Sequence, residues 1–129
     1  MLKTGLIGRE QAIVSLSKSA KEMGSGSLEI FATPALCALM EAACVASLEG
    51  QLEPGQTTVG VSMNLKHTAP TALGMTVGAE SELAEIDGRR LVFKIIAYDK
   101  AGVIGMAEHE RMIVNGDRML EKAAARFNA

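Results

Sequence analysis

The chain has 129 residues, of which 48% are hydrophobic, 22% charged and only 3% aromatic. That length suits one compact domain over 1–129 and leaves no room for a second core. Thirteen basic against fifteen acidic residues give a net charge of −2, so no basic excess exists to neutralise a polyanion. With no Trp, one Tyr and three Phe, the chain also lacks rings for stacking bases, and nucleic acid is not an expected partner.

The N-terminal stretch Met1–Arg9 has no sustained apolar segment and does not read as a secretory signal. The longest near-apolar run, Phe31–Leu48, contains Thr33, Glu41 and Ser47 and is too polar and too short to span a membrane. Cys37 and Cys44 lie seven residues apart on an expected helix, a rise of about 10.5 Å, which is beyond disulfide reach. Two cysteines without other soft ligands do not make a zinc site. A cytoplasmic protein with reduced thiols and no metal is the expectation.

In chain order, Gln11–Leu16 reads as a short edge strand, and Lys18–Ser27 as a small, polar, loose segment centred on Gly24-Ser25-Gly26-Ser27. Thr33-Pro34 opens a helix, with Thr in the N-cap position and Pro at the first helical position. The helix runs to about Glu49 and stops at Gly50. From Thr57 the period changes to two: Val59, Val61, Met63 and Leu65 alternate with polar or small residues, and His67 continues the inward face. A turn over Pro70–Gly74 leads to a strand from Met75 to Ile86. Asp87-Gly88 signals a hairpin into a strand over Arg89–Asp99, and Lys100-Ala101-Gly102 turns into another over Val103–Val114. Asp117–Phe127 reads as an amphipathic helix with Met119, Leu120, Ala123 and Phe127 on one side.

Antiparallel hairpins with a helix on one sheet face make an α+β domain. A helix apolar nearly all round must be covered on every side, which one sheet cannot do. A curled sheet and a second subunit would complete the cover, so a homodimer is expected.

Glu41 is the most informative residue, because Leu36–Ala46 carries no other charge and no lysine or arginine lies within helical reach of it. Apolar surroundings penalise a carboxylate and raise its pKa, the state a general base near neutral pH requires. The alternative is a Glu that snorkels to the helix edge or meets a cation from a strand. Thr33 alone is a helix cap, although a hydroxyl beside free helix N–H groups also lies where negative charge is favoured. His67 is either a satisfied core histidine or a functional one. His109 and Arg111 share one side of the last strand, and by themselves read as a solvated or interface-bridging pattern; Arg89 and Arg90 beside the hairpin read as solvated, with a phosphate contact as the alternative. No phosphate loop, metal-ligand spacing or nucleophile elbow occurs.

Phe31-Ala32-Thr33-Pro34, Leu39–Cys44, Leu52-Glu53-Pro54-Gly55, Val59-Gly60, His67-Thr68-Ala69, Pro70–Gly74, Gly88–Leu91 and His109-Glu110-Arg111 together resemble the hotdog-fold thioesterases, in particular the fluoroacetyl-CoA thioesterase-like branch. The resemblance covers roughly Leu28–Phe127. It implies a curved five-stranded antiparallel sheet wrapped around one long central helix, with a C-terminal surface helix and edge-to-edge dimers, possible precursors of a tetramer. Carried over by position, it makes Thr33, Glu41 and His67 catalytic and Gly60 and Arg111 substrate-binding. It implies an acyl-CoA substrate and no cofactor beyond the coenzyme A that the substrate carries. The fluoroacetyl enzyme has bulky aromatic residues in its lid, where this chain has Gly24-Ser25-Gly26-Ser27-Leu28, so a larger acyl group is expected. The alternatives are a non-catalytic acyl-CoA-binding or sensing dimer and a hotdog enoyl-CoA hydratase or dehydratase.

Thr33 and Glu41 lie eight residues apart, about 12 Å of helix rise. A direct bond between them in one chain is therefore not expected: either the thioester lies between them, or Glu41 of one copy meets Thr33 of the other, and the composite site at a dimer interface is preferred. In that site Glu41 activates water or attacks the carbonyl, Thr33 bonds the oxyanion or accepts the acyl group, and His67 orients Thr33 or water and protonates the leaving thiolate.

Overall fold

The computed structural model describes residues 2–128. Five strands form one antiparallel sheet in the order β1-β3-β4-β5-β2: β1 (Ile7–Ile13), β2 (Gln56–His67), β3 (Thr76–Asp87), β4 (Arg90–Asp99) and β5 (Gly102–Asn115). The helices are a four-residue α1 (Ala20–Met23), the long α2 (Thr33–Ser47) and α3 (Gly116–Ala125). Helix α2 touches β1 and β2, the two opposite edges of the sheet, as well as β3 and β4. A sheet can meet one helix from both of its edges only by curling around it.

The core lies between α2 and the inner sheet face: Leu36, Met40 and Cys44 pack with Phe31, Leu83, Leu91, Phe93, Ile95 and Ile104. Two glycines bring the helix down onto the strands. A side chain on Gly8 would stand 2.0 Å from the Ala43 carbonyl oxygen, and one on Gly105 would stand 3.1 Å from Leu36 Cδ2. The opposite side of α2 stays open, with Ala38 and Val45 exposed and Glu41, Ala42 and Ala46 half-buried. Among the described residues no helix is long and apolar enough to cross a membrane.

Several elements differ from the sequence expectation. The edge strand is Ile7–Ile13 rather than Gln11–Leu16, because its register against β3 runs from Ile7↔Glu82 to Ile13↔Thr76 and the chain then turns into a 3-10 segment at Leu16–Lys18. Part of the expected loose segment is ordered as α1, where the Ser19 hydroxyl accepts from the Glu22 N–H at 3.2 Å and Gly24 closes the turn at φ 71°. Ala32, not Thr33, is the N-cap of α2, and α2 ends at Ser47 before Gly50 is reached. In β2 the expected alternation breaks at a bulge between Gly60 and Ser62. Val61 is thereby turned outward and 59% exposed, while Gly60 and Met63 can both face the helix. The apolar side of the last helix is not buried on this chain, since Leu120 and Phe127 are exposed and only Met119 is half-buried; α3 leaves the end of β5 and touches little else.

Candidate active site

The N-terminus of α2 and the C-terminus of β2 meet. There Thr33 Oγ1 lies 2.8 Å from His67 Nδ1. Freed from capping, the hydroxyl has a side-chain partner, and no side chain caps the helix. Thr33 itself is exposed. The edge of the Phe31 ring packs against the imidazole, with centroids 6.3 Å apart at 78°, and His67 Nε2 is buried without a hydrogen-bond partner. Burial is the main force on His67 and holds its pKa below the ordinary histidine value, against a smaller opposite pull from the Ala69 backbone.

About two turns further along α2 lies a second cluster. Arg111 on β5 donates from Nη1 to Glu41 Oε2 at 3.2 Å, from Nε to Thr58 Oγ1 at 2.9 Å and from Nη2 to the Thr58 carbonyl at 3.1 Å. Its Nη1 also stands 3.1 Å from His109 Nε2. The guanidinium and imidazole are buried, while the Glu41 side chain is 40% exposed and borders a groove of 740 Å³ with Ala38, Ala42, Val45, Thr58 and Arg111. Gly60 faces the cluster, and a side chain there would stand 2.8 Å from Glu41 Oε2.

All five sequence-derived site residues thus face the helix–sheet junction, but in two groups: Thr33 with His67, and Glu41 with Gly60 and Arg111. The picture of Glu41 as an unpaired carboxylate in oily surroundings is corrected. Arg111, a cation from a strand and invisible to helical spacing, holds it, and water reaches it. The solvated reading of His109 and Arg111 is corrected as well, since both are buried on the inner face of a strand that the sheet curls over the helix. Arg90 is bound to Glu110 rather than free in solvent, whereas Arg89 is exposed. Sequence reasoning missed Thr58 and the buried contacts of His109. The signal available was the shared parity of His109 and Arg111 with each other.

The comparisons with known proteins agree with this architecture. A family model described as fluoroacetyl-CoA-specific thioesterase matches residues 14–117. A fluoroacetyl-CoA thioesterase from Streptantibioticus cattleyicolor is 41% identical over 101 residues, which cover 78% of this chain and 67% of that protein. The solved structure of the fluoroacetyl-CoA thioesterase FlK superposes with a TM-score of 0.90 at 30% identity, over 97% of both chains. A point mutant of FlK in complex with acetyl-CoA gives 0.91 at 30% identity over 97% of this chain and 98% of its own. A hot-dog-like protein from Thermanaerovibrio acidaminovorans gives 0.88 at 26% identity, over 98% and 93%. The curled sheet, the long helix and the C-terminal helix are therefore the hotdog fold, and the chain belongs to the fluoroacetyl-CoA-specific thioesterase family.

Proposed function

We propose that the chain hydrolyses a small acyl-CoA thioester to the free acid and CoA, using Thr33, His67 and Glu41 in a site shared by two copies of the chain. The observation that carries this reading is the 2.8 Å contact between Thr33 Oγ1 and His67 Nδ1 at the uncapped N-terminus of α2. A neutral imidazole accepts from the hydroxyl and draws off its proton as Thr33 Oγ1 adds to the thioester carbonyl. The first N–H groups of α2 favour the oxyanion that develops. The carbon–sulfur bond then breaks, and His67 returns the proton to the departing CoA sulfur. Water then adds to the acyl-threonine ester as its proton passes to Glu41, the bond between the acyl carbon and Thr33 Oγ1 breaks, and Glu41 gives the proton back to Thr33 Oγ1 as the acid leaves. Gly60 leaves room for the carboxylate, and Arg111 holds it in place.

One helix holds Thr33 and Glu41 about 12 Å apart, so the Glu41 serving a given Thr33 comes from the second copy. The open apolar side of α2 around Val45, 51% exposed, supports such a homodimer. The lid segment Gly24–Leu28 is exposed and carries no aromatic ring, which favours acyl groups larger than fluoroacetyl. The free thiols of Cys37 and Cys44 suit a reducing cytoplasm.

Thiol release over a panel of acyl-CoA esters tests the activity; absence of turnover on every ester overturns it. Mixing Thr33→Ala chains with Glu41→Ala chains tests the shared site. Heterodimers regain activity above both parents if it is composite, and no recovery refutes that arrangement. A rapid quench traps acyl-threonine on this route, and steady turnover without any adduct excludes it.

A further inference from the structure

The mechanism leaves a fully buried histidine unused. His109 is 1% exposed and lies on β5 between the Phe93 ring, 6.5 Å away between centroids, and the Glu41–Arg111 pair. Its Nδ1 stands 2.7 Å from the Ser62 carbonyl, next to the β2 bulge. Its Nε2 stands 3.1 Å from Arg111 Nη1 and 3.8 Å from Glu41 Oε2.

These partners fix the proton on the ring. A backbone carbonyl only accepts, so Nδ1 must carry hydrogen; a guanidinium only donates, so Nε2 must carry a lone pair. One neutral tautomer meets both demands. The imidazolium meets the first demand but fails the second, because its Nε2–H would point at the guanidinium N–H. Burial is the largest influence and holds His109 below its ordinary pKa; the hydrogen bond to the Ser62 carbonyl pulls the other way, followed by the Arg111 charge, which again opposes protonation, and by lesser opposite pulls from Glu41 and Glu110.

We infer that His109 is a positioning residue: its neutral, Nδ1-protonated ring is a fixed acceptor that holds Arg111 Nη1 where that group aims Glu41 at the water used in hydrolysis. This rests on the reading of Glu41 as proton acceptor. Arg111 Nη1 is shared between the ring and the carboxylate, whereas Nε and Nη2 are tied to Thr58. Each of the three guanidinium nitrogens thus has a separate anchor, and the ring supplies the anchor nearest the carboxylate. Glu41 itself, part exposed and at the end of a flexible side chain, has no such rigidity of its own.

Two variants separate positioning from mere filling. His109→Gln offers an acceptor oxygen near the place of Nε2, while His109→Leu fills the space without one. In His109→Leu, kcat falls about tenfold or more with KM within about twofold, and His109→Gln restores most of the loss. Nitrogen-15 NMR of the wild-type chain shows the His109 ring protonated at Nδ1 alone. It also shows distinct Arg111 Nη1 and Nη2 signals, which persist in His109→Gln and merge in His109→Leu. An Nε2-protonated ring, unmerged signals in the leucine variant, or a glutamine variant as impaired as the leucine one would each overturn the inference. The NMR readout needs no turnover, so a chain with the expected ring and arginine signals but no thioesterase activity would refute the hydrolase reading while leaving the His109–Arg111 clamp in place.

Discussion

The carboxylate of Glu41 occupies the space that a side chain on Gly60 would need: the missing Cβ would stand 2.8 Å from Glu41 Oε2, with His109 Cε1 at 3.4 Å and Arg111 Nη1 at 3.6 Å. Gly60 is not among the glycines with positive φ, so its backbone accepts alanine without strain. The cost of Gly60→Ala falls on the end of the Glu41 side chain, which has to move off Arg111. We predict a drop in kcat of about tenfold, with a thermal midpoint within about 4 °C of wild type. Thiol-release kinetics and a melting curve check both, and unchanged kcat would contradict the placement of Glu41.

Thr33 is exposed and has His67 as its partner, so on the proposed route shortening it removes chemistry rather than packing. Thr33→Ala lowers kcat/KM by about a hundredfold or more, and Thr33→Ser keeps the hydroxyl and stays within about tenfold of wild type. Both variants keep their stability within about 0.5 kcal/mol. A Thr33→Ala enzyme that turned over at the wild-type rate would remove Thr33 from the mechanism.

Burial holds both His67 and His109 below the ordinary value of 6.5. The unfolded chain therefore binds protons that the folded chain refuses in the window between 6.5 and the lowered values. Stability is complete above that window and declines as the pH drops through it. The same drop protonates His67 and removes the acceptor for Thr33, so kcat/KM declines with it. Urea midpoints and rates measured across the acid range check this. A midpoint that rises as pH falls below 6.5 would reverse the assigned sign.

The two thiols differ in reactivity. Cys44 is buried, and desolvation pushes its pKa up to about 12, which leaves almost no thiolate near neutral pH. Cys37 is half-buried, and burial followed by the Glu41 charge raises it as well. A maleimide labels Cys37 slowly in the native protein and reaches Cys44 only in denaturant. Peptide mass spectrometry assigns the sites, and rapid native labelling of Cys44 would contradict its burial.

The α+β class was legible because local patterns agreed with the global fold, and the hotdog arrangement and the family were legible only through the resemblance of the combined motifs. The lone charge in the α2 segment, the period-two runs and the Asp87-Gly88 turn all pointed the same way. What escaped was set by pairing across the sheet. The parity of β2 breaks at Val61, which local alternation cannot reveal because a bulge is defined only by the partner strand. The Glu41–Arg111 contact joins residues seventy positions apart, beyond any helical rule. His109 looked polar beside Glu108, Glu110 and Arg111, yet a strand sends alternate side chains to opposite faces, and the curl of the sheet decided which of them met the helix.

The two glycines beneath α2 carry a consequence for how this cleft can diversify. Because Gly8 lets the helix backbone rest on β1 and Gly105 lets the Leu36 and Met40 side chains settle on β5, a substituent at either acts as a shim beneath one part of the helix. Such a lift would move Thr33 and Glu41 by unequal amounts. New substrate preferences therefore have an easier route through the loop ahead of the helix, where a ring can be added or removed without re-levelling the machinery beneath.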